Sequence, residues 1–184
     1  MTCTTFVLFA ASAVSALQAA LNSSATWTME RRLDGSSRPL VSSGVVRCRM
    51  GEGIVWETRE PFAASVSMTT NAMVFVDEDG RREKALGDLP HYADVRAATD
   101  AFAAGKADAF DGVLAIREEA LPDGGWRLTL EPEVAAMKRL VAYVELTGAA
   151  LPTNAVLRSP GCVSEIRFRP LRDGEVLPRR REER

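Results

Sequence analysis

One histidine (His91), two cysteines in the body of the chain (Cys48 and Cys162) and a scatter of carboxylates are the side chains that could do covalent, metal or proton chemistry. A single imidazole excludes metal sites with several His ligands, and a Ser-His-Asp arrangement would have to use that one residue. His91 follows Pro90 at the start of a helical stretch, where a capping or surface role is the simpler reading. The carboxylates fall in turns (Asp77, Glu78, Asp79 and Asp123) or at alternate, solvated strand positions (Glu57, Glu131 and Glu145). Paired carboxylates for hydrolysis need one member shielded so that its pKa rises, and these look wet. Pro122-Asp-Gly-Gly125 lies between two strand-like runs, so it reads as a hairpin turn rather than a phosphate loop. The pattern indicates no enzyme and implies no cofactor or metal.

What remains is non-covalent chemistry. Met50, Met68, Met73 and Met137 recur with Trp27, Trp56, Phe75, Phe102 and Trp126 at spacings that gather them on faces. Such residues usually form plain core. They could equally line an adaptable cavity, because the unbranched thioether reshapes round guests of varied length.

The elements that must position them are mostly short strands. Trp27 to Leu33 places Trp27, Met29 and, by the same alternation, Arg31 on one face. Leu40 to Met50 sets Val46, Cys48 and Met50 against Val45, Arg47 and Arg49, and Ile54 to Arg59 sets Ile54 and Trp56 against Val55 and Glu57. Ala64 to Thr69 and Ala72 to Val76 follow, closed by Asp77-Glu-Asp-Gly80. From Leu89 to Lys106 the period becomes helical, with Leu89, Tyr92, Val95 and Phe102 at spacings near three or four. Strands resume at 113–117 and at 126–131, where Trp126, Leu128 and Leu130 share a face. Pro132 to Leu140 reads as a short helix, and 142–148, 155–158 and 162–169 alternate again. About nine strands and two helices are expected in a single domain. The fold class is α+β, mainly β: a one-sided antiparallel sheet whose apolar face needs a cover, for which the 89–106 helix is the candidate.

At 184 residues the chain can bury one core unaided, and 46% apolar content argues against disorder. A net charge of −2 gives no hint of a nucleic-acid partner. Charge is unevenly spread, since residues 1–29 carry none. Phe6 to Leu17 has the length of a signal-peptide h-region, and Val14-Ser-Ala16 suits cleavage after Ala16, with Ala19 as the second choice. A buried first helix or an anchor is the alternative, though the apolar run is short for a span. The expected organisation is a signal peptide at 1–19, a domain at 20–178 and a basic, solvated tail at 179–184. Export would remove Cys3 and leave Cys48 and Cys162 as a possible disulfide; two separate thiols acting as small apolar residues are the simpler reading.

The order Trp27-Thr-Met-Glu-Arg-Arg, Arg38-Pro-Leu with Gly44, Gly53-Ile-Val-Trp56 with Pro61-Phe62, then Phe102 to Phe110 and Trp126-Arg-Leu-Thr-Leu-Glu-Pro132 resembles the outer-membrane lipoprotein carrier family (LolA-like). The resemblance implies an unclosed β-barrel whose curled antiparallel sheet is covered by a helical lid. It also implies a monomeric periplasmic shuttle that takes acylated lipoproteins, or other acyl lipids, from an inner-membrane transporter to an outer-membrane acceptor. Acyl chains would displace the lid (Leu89, Tyr92, Val95 and Phe102). They would bury against Trp27, Met29, Val46, Met50, Trp56 and Met68, and further along against Phe75, Trp126 and Leu128. The family's lid-latching arginine falls at Met50, with Arg49 one place off as the possible latch, so a divergent member is expected. A non-catalytic envelope sensor or interaction domain on the same fold is the alternative.

Overall fold

A computed structural model describes residues 20, 23–49, 53–69, 72–85, 87 and 111–171. Six strands occupy its first half: β1 (Ser24–Leu33), β2 (Leu40–Arg49), β3 (Gly53–Glu60), β4 (Ala64–Met68), β5 (Ala72–Asp77) and β6 (Gly80–Ala85). The second half holds β7 (Leu114–Ala120), β8 (Trp126–Pro132), the single turn α1 (Ala135–Lys138), β9 (Tyr143–Gly148), β10 (Pro152–Ser159) and β11 (Cys162–Pro170). All eleven strands form one curled antiparallel sheet in the order β6-β5-β4-β3-β2-β1-β11-β10-β9-β8-β7. The first and last strands therefore pair in the middle, with Trp27 opposite Phe168. β6 and β7 are left as the two edges, and the sheet is not closed.

The ladders fix two faces. Starting from Trp27, the register carries one face through Gly44 and Val46 to Trp56, Val66 and Phe75 on one side. On the other side it runs through Phe168 and Ile166 to Ala155, Leu146 and Leu128. Among the described residues every buried one except Val45 lies on this face. It is the inner side of the curl. Register shifts at Ser43/Gly44 and at Pro152/Asn154 bend the strands and add local twist, which helps the sheet to coil.

Several expectations hold and several are corrected. The alternating runs became strands with the expected faces. β6 was not expected, because Gly80-Arg-Arg-Glu-Lys-Ala85 has no alternating apolar residues; it is an exposed edge held by its ladder to β5. The 132–140 helix contracts to α1, and Pro132 instead ends β8 opposite Leu114. The covering helix at 89–106 lies outside the described residues, as do the signal peptide and the basic tail. By chain connectivity, residues 86–113 link the two edge strands.

Cys48 and Cys162 are free thiols, the simpler of the two readings. The Cys48 amide bonds the Ser23 carbonyl at the start of β1, whereas Cys162 stands opposite Leu33 at its end. The length of β1 separates them, roughly 30 Å at the rise of an extended strand, against a limit of about 7 Å between bridged Cα atoms.

Candidate functional site

On the inner face the largest cluster is built from four adjacent strands. Ala25, Trp27 and Val46 are buried, with Met29, Cys48, Ile54, Trp56, Ile166 and Phe168 packed against them. Trp27 and Trp56 stack with ring centroids 4.7 Å apart and planes 28° from parallel. Phe168 meets Trp56 edge-on at 6.3 Å and 88°. Such offset and edge-to-face pairs suit the positive edge and negative face of aromatic rings. A second cluster, Trp126 and Leu128 with Leu130 and Leu146, lies further along the same face, with buried Ala155 between the two in the strand order.

The two buried indoles are satisfied differently. Trp126 Nε1 donates to the Ala149 carbonyl at 2.5 Å. Trp27, only 2% exposed, has a buried Nε1 with no acceptor. A donor left unpaired in an apolar setting is costly, and it is a place where a guest acceptor would be favoured. Toward the β6 edge the face opens: Met68 is exposed, and Val66, Met73 and Phe75 are half-buried.

The outer face carries most of the ion pairs. Arg47 and Arg59 each meet Glu57 at 3.0 Å, Arg32 meets Glu30 and Glu165, Arg127 meets Glu119 at 2.8 Å, and Arg117 pairs with Glu131. Partial burial alone would push Glu57 up. The hydrogen bonds and charges of Arg47 and Arg59 outweigh it and hold the carboxyl below its usual range. Burial pushes the Cys48 thiol up, which disfavours its reactive thiolate. Among the described residues no cluster of His, Cys, Asp or Glu could hold a metal ion.

Two cavities of mixed polar and apolar lining lie away from the aromatic cluster. One of about 330 Å³ sits between Glu57, Arg59, Ala64, Ser65, Val76 and Asp77. Another of about 200 Å³ lies at the β10–β11 turn beside Asp34, Arg158 and Cys162.

Of the residues singled out from the sequence, Trp27, Met29, Val46, Trp56, Met68 and Phe75 share the inner face across β1 to β5. Trp126 and Leu128 share it through β8. Met50 and the lid residues Leu89, Tyr92, Val95 and Phe102 lie outside the described residues, as does His91. Arg49 is exposed and, by register, on the outer face with Arg47, so it does not join the apolar set. Phe168, Ile166 and Ile54 were not singled out for the site, although their alternation was visible. Their pairing beside Trp27 and Trp56 comes from long-range register.

A family model described as outer membrane lipoprotein carrier protein LolA-like matches residues 9–164. No curated protein matches the chain. Among solved structures, a LolA superfamily protein from Nitrosomonas europaea is similar at 12% identity, with 91% of this chain and 94% of that one covered and a TM-score of 0.44. LprF from Mycobacterium bovis is similar at 12% identity, covering 87% and 91%, with a TM-score of 0.35. The MucA/MucB complex of Pseudomonas aeruginosa contains a chain similar at 14% identity, covering 86% of this chain and 55% of that one, with a TM-score of 0.32. The family model spans most of the sequence, and the chain belongs to the LolA-like family of outer membrane lipoprotein carrier proteins, which includes lipoprotein carriers and related binding proteins.

Proposed function

We propose that this protein is a periplasmic carrier that holds the acyl chains of lipoproteins, or of related lipids, against its inner face and ferries them from inner to outer membrane. The observation that carries the reading is the Trp27–Trp56–Phe168 aromatic cluster on the inner side of an unclosed sheet. Its apolar register continues through Ile166 and Ala155 to Leu128. Each methylene moved from water onto such a surface contributes about 0.8 kcal/mol, so a few segments of chain give useful affinity without covalent chemistry. Met68 and Met73 at the open wing suit guests of different shape.

In this reading residues 1–19 direct export, and the 89–106 segment, with Leu89, Tyr92, Val95 and Phe102, covers the face and yields to the guest. Met50 would join the lining at the end of β2. An inner-membrane transporter would load the protein and an outer-membrane acceptor would empty it.

The test is native mass spectrometry of protein isolated gently from an envelope extract, beside titration with a fluorescent fatty acid. A carrier retains acylated species and takes up the probe, and Phe102→Glu abolishes uptake. A sensor or interaction domain with a filled interior shows neither, and that outcome would reject the carrier reading.

A further inference from the structure

Two neighbouring arginines in β1 meet opposite surroundings. Arg32 points to the outer face, where Glu30 at 3.1 Å and Glu165 at 2.7 Å neutralise it. Arg31 belongs by register to the inner face with Trp27 and Met29. Its Nε donates to Ser164 Oγ at 3.2 Å, and a terminal nitrogen lies 4.0 Å from Met29 Sδ. Among the described residues no carboxylate pairs with it.

Ser164 is 1% exposed, the one buried polar or charged residue among those described. Its hydroxyl accepts from Arg31 and lies 3.8 Å from Cys162 Sγ, which can take its proton. Burying a hydroxyl is favourable only when it is bonded, and here the bond fixes a guanidinium by one edge. An arginine that merely reaches for water needs no such anchor. The planar fork that remains has donors on both terminal nitrogens, matched to a phosphate or carboxylate. On either side, Leu40 opposite and Leu33 two positions on share the inner face and stay 57% and 43% exposed. At this end of the apolar face the rim thus holds an oriented cation set between exposed aliphatic side chains, next to the aromatic cluster.

We propose that Arg31 is the head-group site of this face, binding the phosphate or carboxylate of an anionic amphiphile whose acyl chain runs from the rim past Met29 toward Trp27 and Trp56. This rests on the acyl-binding reading above and narrows it to anionic ligands. Ser164 is a positioning residue that aims the guanidinium.

The test is a tryptophan-fluorescence titration of the full chain with two probes below their micelle concentrations: 1-lauroyl lysophosphatidic acid and 1-lauroylglycerol, which differ only by the phosphate. The wild type should prefer the phosphate by about tenfold, the size of one charge-assisted hydrogen bond. Arg31→Gln should abolish that preference and leave lauroylglycerol affinity intact, Arg31→Lys should keep part of it, and Arg32→Gln should behave as wild type. Inorganic phosphate alone should not compete; competition at equal affinity would make this a simple anion site and overturn the assignment. Equal binding of both probes by wild type, or an Arg31→Gln protein that keeps its preference, overturns the Arg31 site and leaves acyl binding standing. Failure of both probes to bind the wild type rejects acyl binding itself, and the head-group site with it.

Discussion

Trp27 and Gly44 face each other across the β1–β2 ladder, and a Cβ on Gly44 would lie 2.8 Å from Cζ2 of the indole and closer still to the Glu57 carbonyl oxygen. Trp27 and Trp56 stand two strands apart, a spacing of roughly 10 Å between backbones. Their rings nonetheless come to 4.7 Å because both lean over β2, where glycine leaves the space.

Gly44→Ala should therefore separate the stack and shift β3. The expected loss is about 1–3 kcal/mol, the usual cost of an atom forced into a packed place. Thermal melting and the paired-tryptophan signal in circular dichroism check it; a variant that keeps both unchanged contradicts the packing described.

The orphan donor of Trp27 distinguishes it from Trp126. Both Trp→Phe changes remove the same volume, but only Trp126→Phe leaves the Ala149 carbonyl without its partner. Trp126→Phe should be the more destabilising by about 1 kcal/mol, measured as the difference between two denaturant titrations.

For ligand uptake, Trp56→Ala should weaken a fluorescent fatty acid about tenfold or more by removing the ring that joins Trp27 to Phe168. Arg127→Gln, on the outer face, should leave uptake unchanged. Equal affinities for the two variants would move the binding surface elsewhere.

Cys48 and Cys162 should not pair under oxidising conditions, since the length of β1 lies between them. Reductant should leave the melting temperature unchanged, and Cys48 should react slowly with thiol reagents because burial raises its pKa. A 48–162 crosslinked peptide in a digest of native protein would contradict the register.

Glu57 makes stability weakly pH-dependent. Its folded pKa is lowered, so the contribution is present above the ordinary carboxylate range and fades as pH falls through the folded value. The ion pairs are largely solvated, which keeps the effect below about 1 kcal/mol. The gap in melting temperature between wild type and Glu57→Gln should close from about pH 5 downward; a gap that widens on acidification would refute the assignment.

Local alternation was enough to reveal which side chains share a strand face: Trp27 with Met29, Val46 with Cys48, Ile54 with Trp56, and Trp126 with Leu128. Strand side chains alternate with period two, so a short run discloses its own greasy side without reference to any partner. β6 escaped because an exposed charged edge carries no such signal, and Pro132–Leu140 escaped because helical spacing there competes with the end of β8. The family's fold class was legible through turn residues and aromatic order spread over most of the chain.

Which faces meet was a different matter. Pairing β1 with β11 joins residues from opposite ends of the chain, and no local period encodes a register between strands so far apart. That one pairing sets Phe168 beside Trp56, brings buried Ser164 to Arg31, and leaves β6 and β7 as the edges. The sequence alone determined the apolar stripes. Only the folded sheet decided that they form a single inner surface with Arg31 anchored by Ser164 at its rim, because long-range register depends on the complementarity of whole faces rather than on neighbours in the chain.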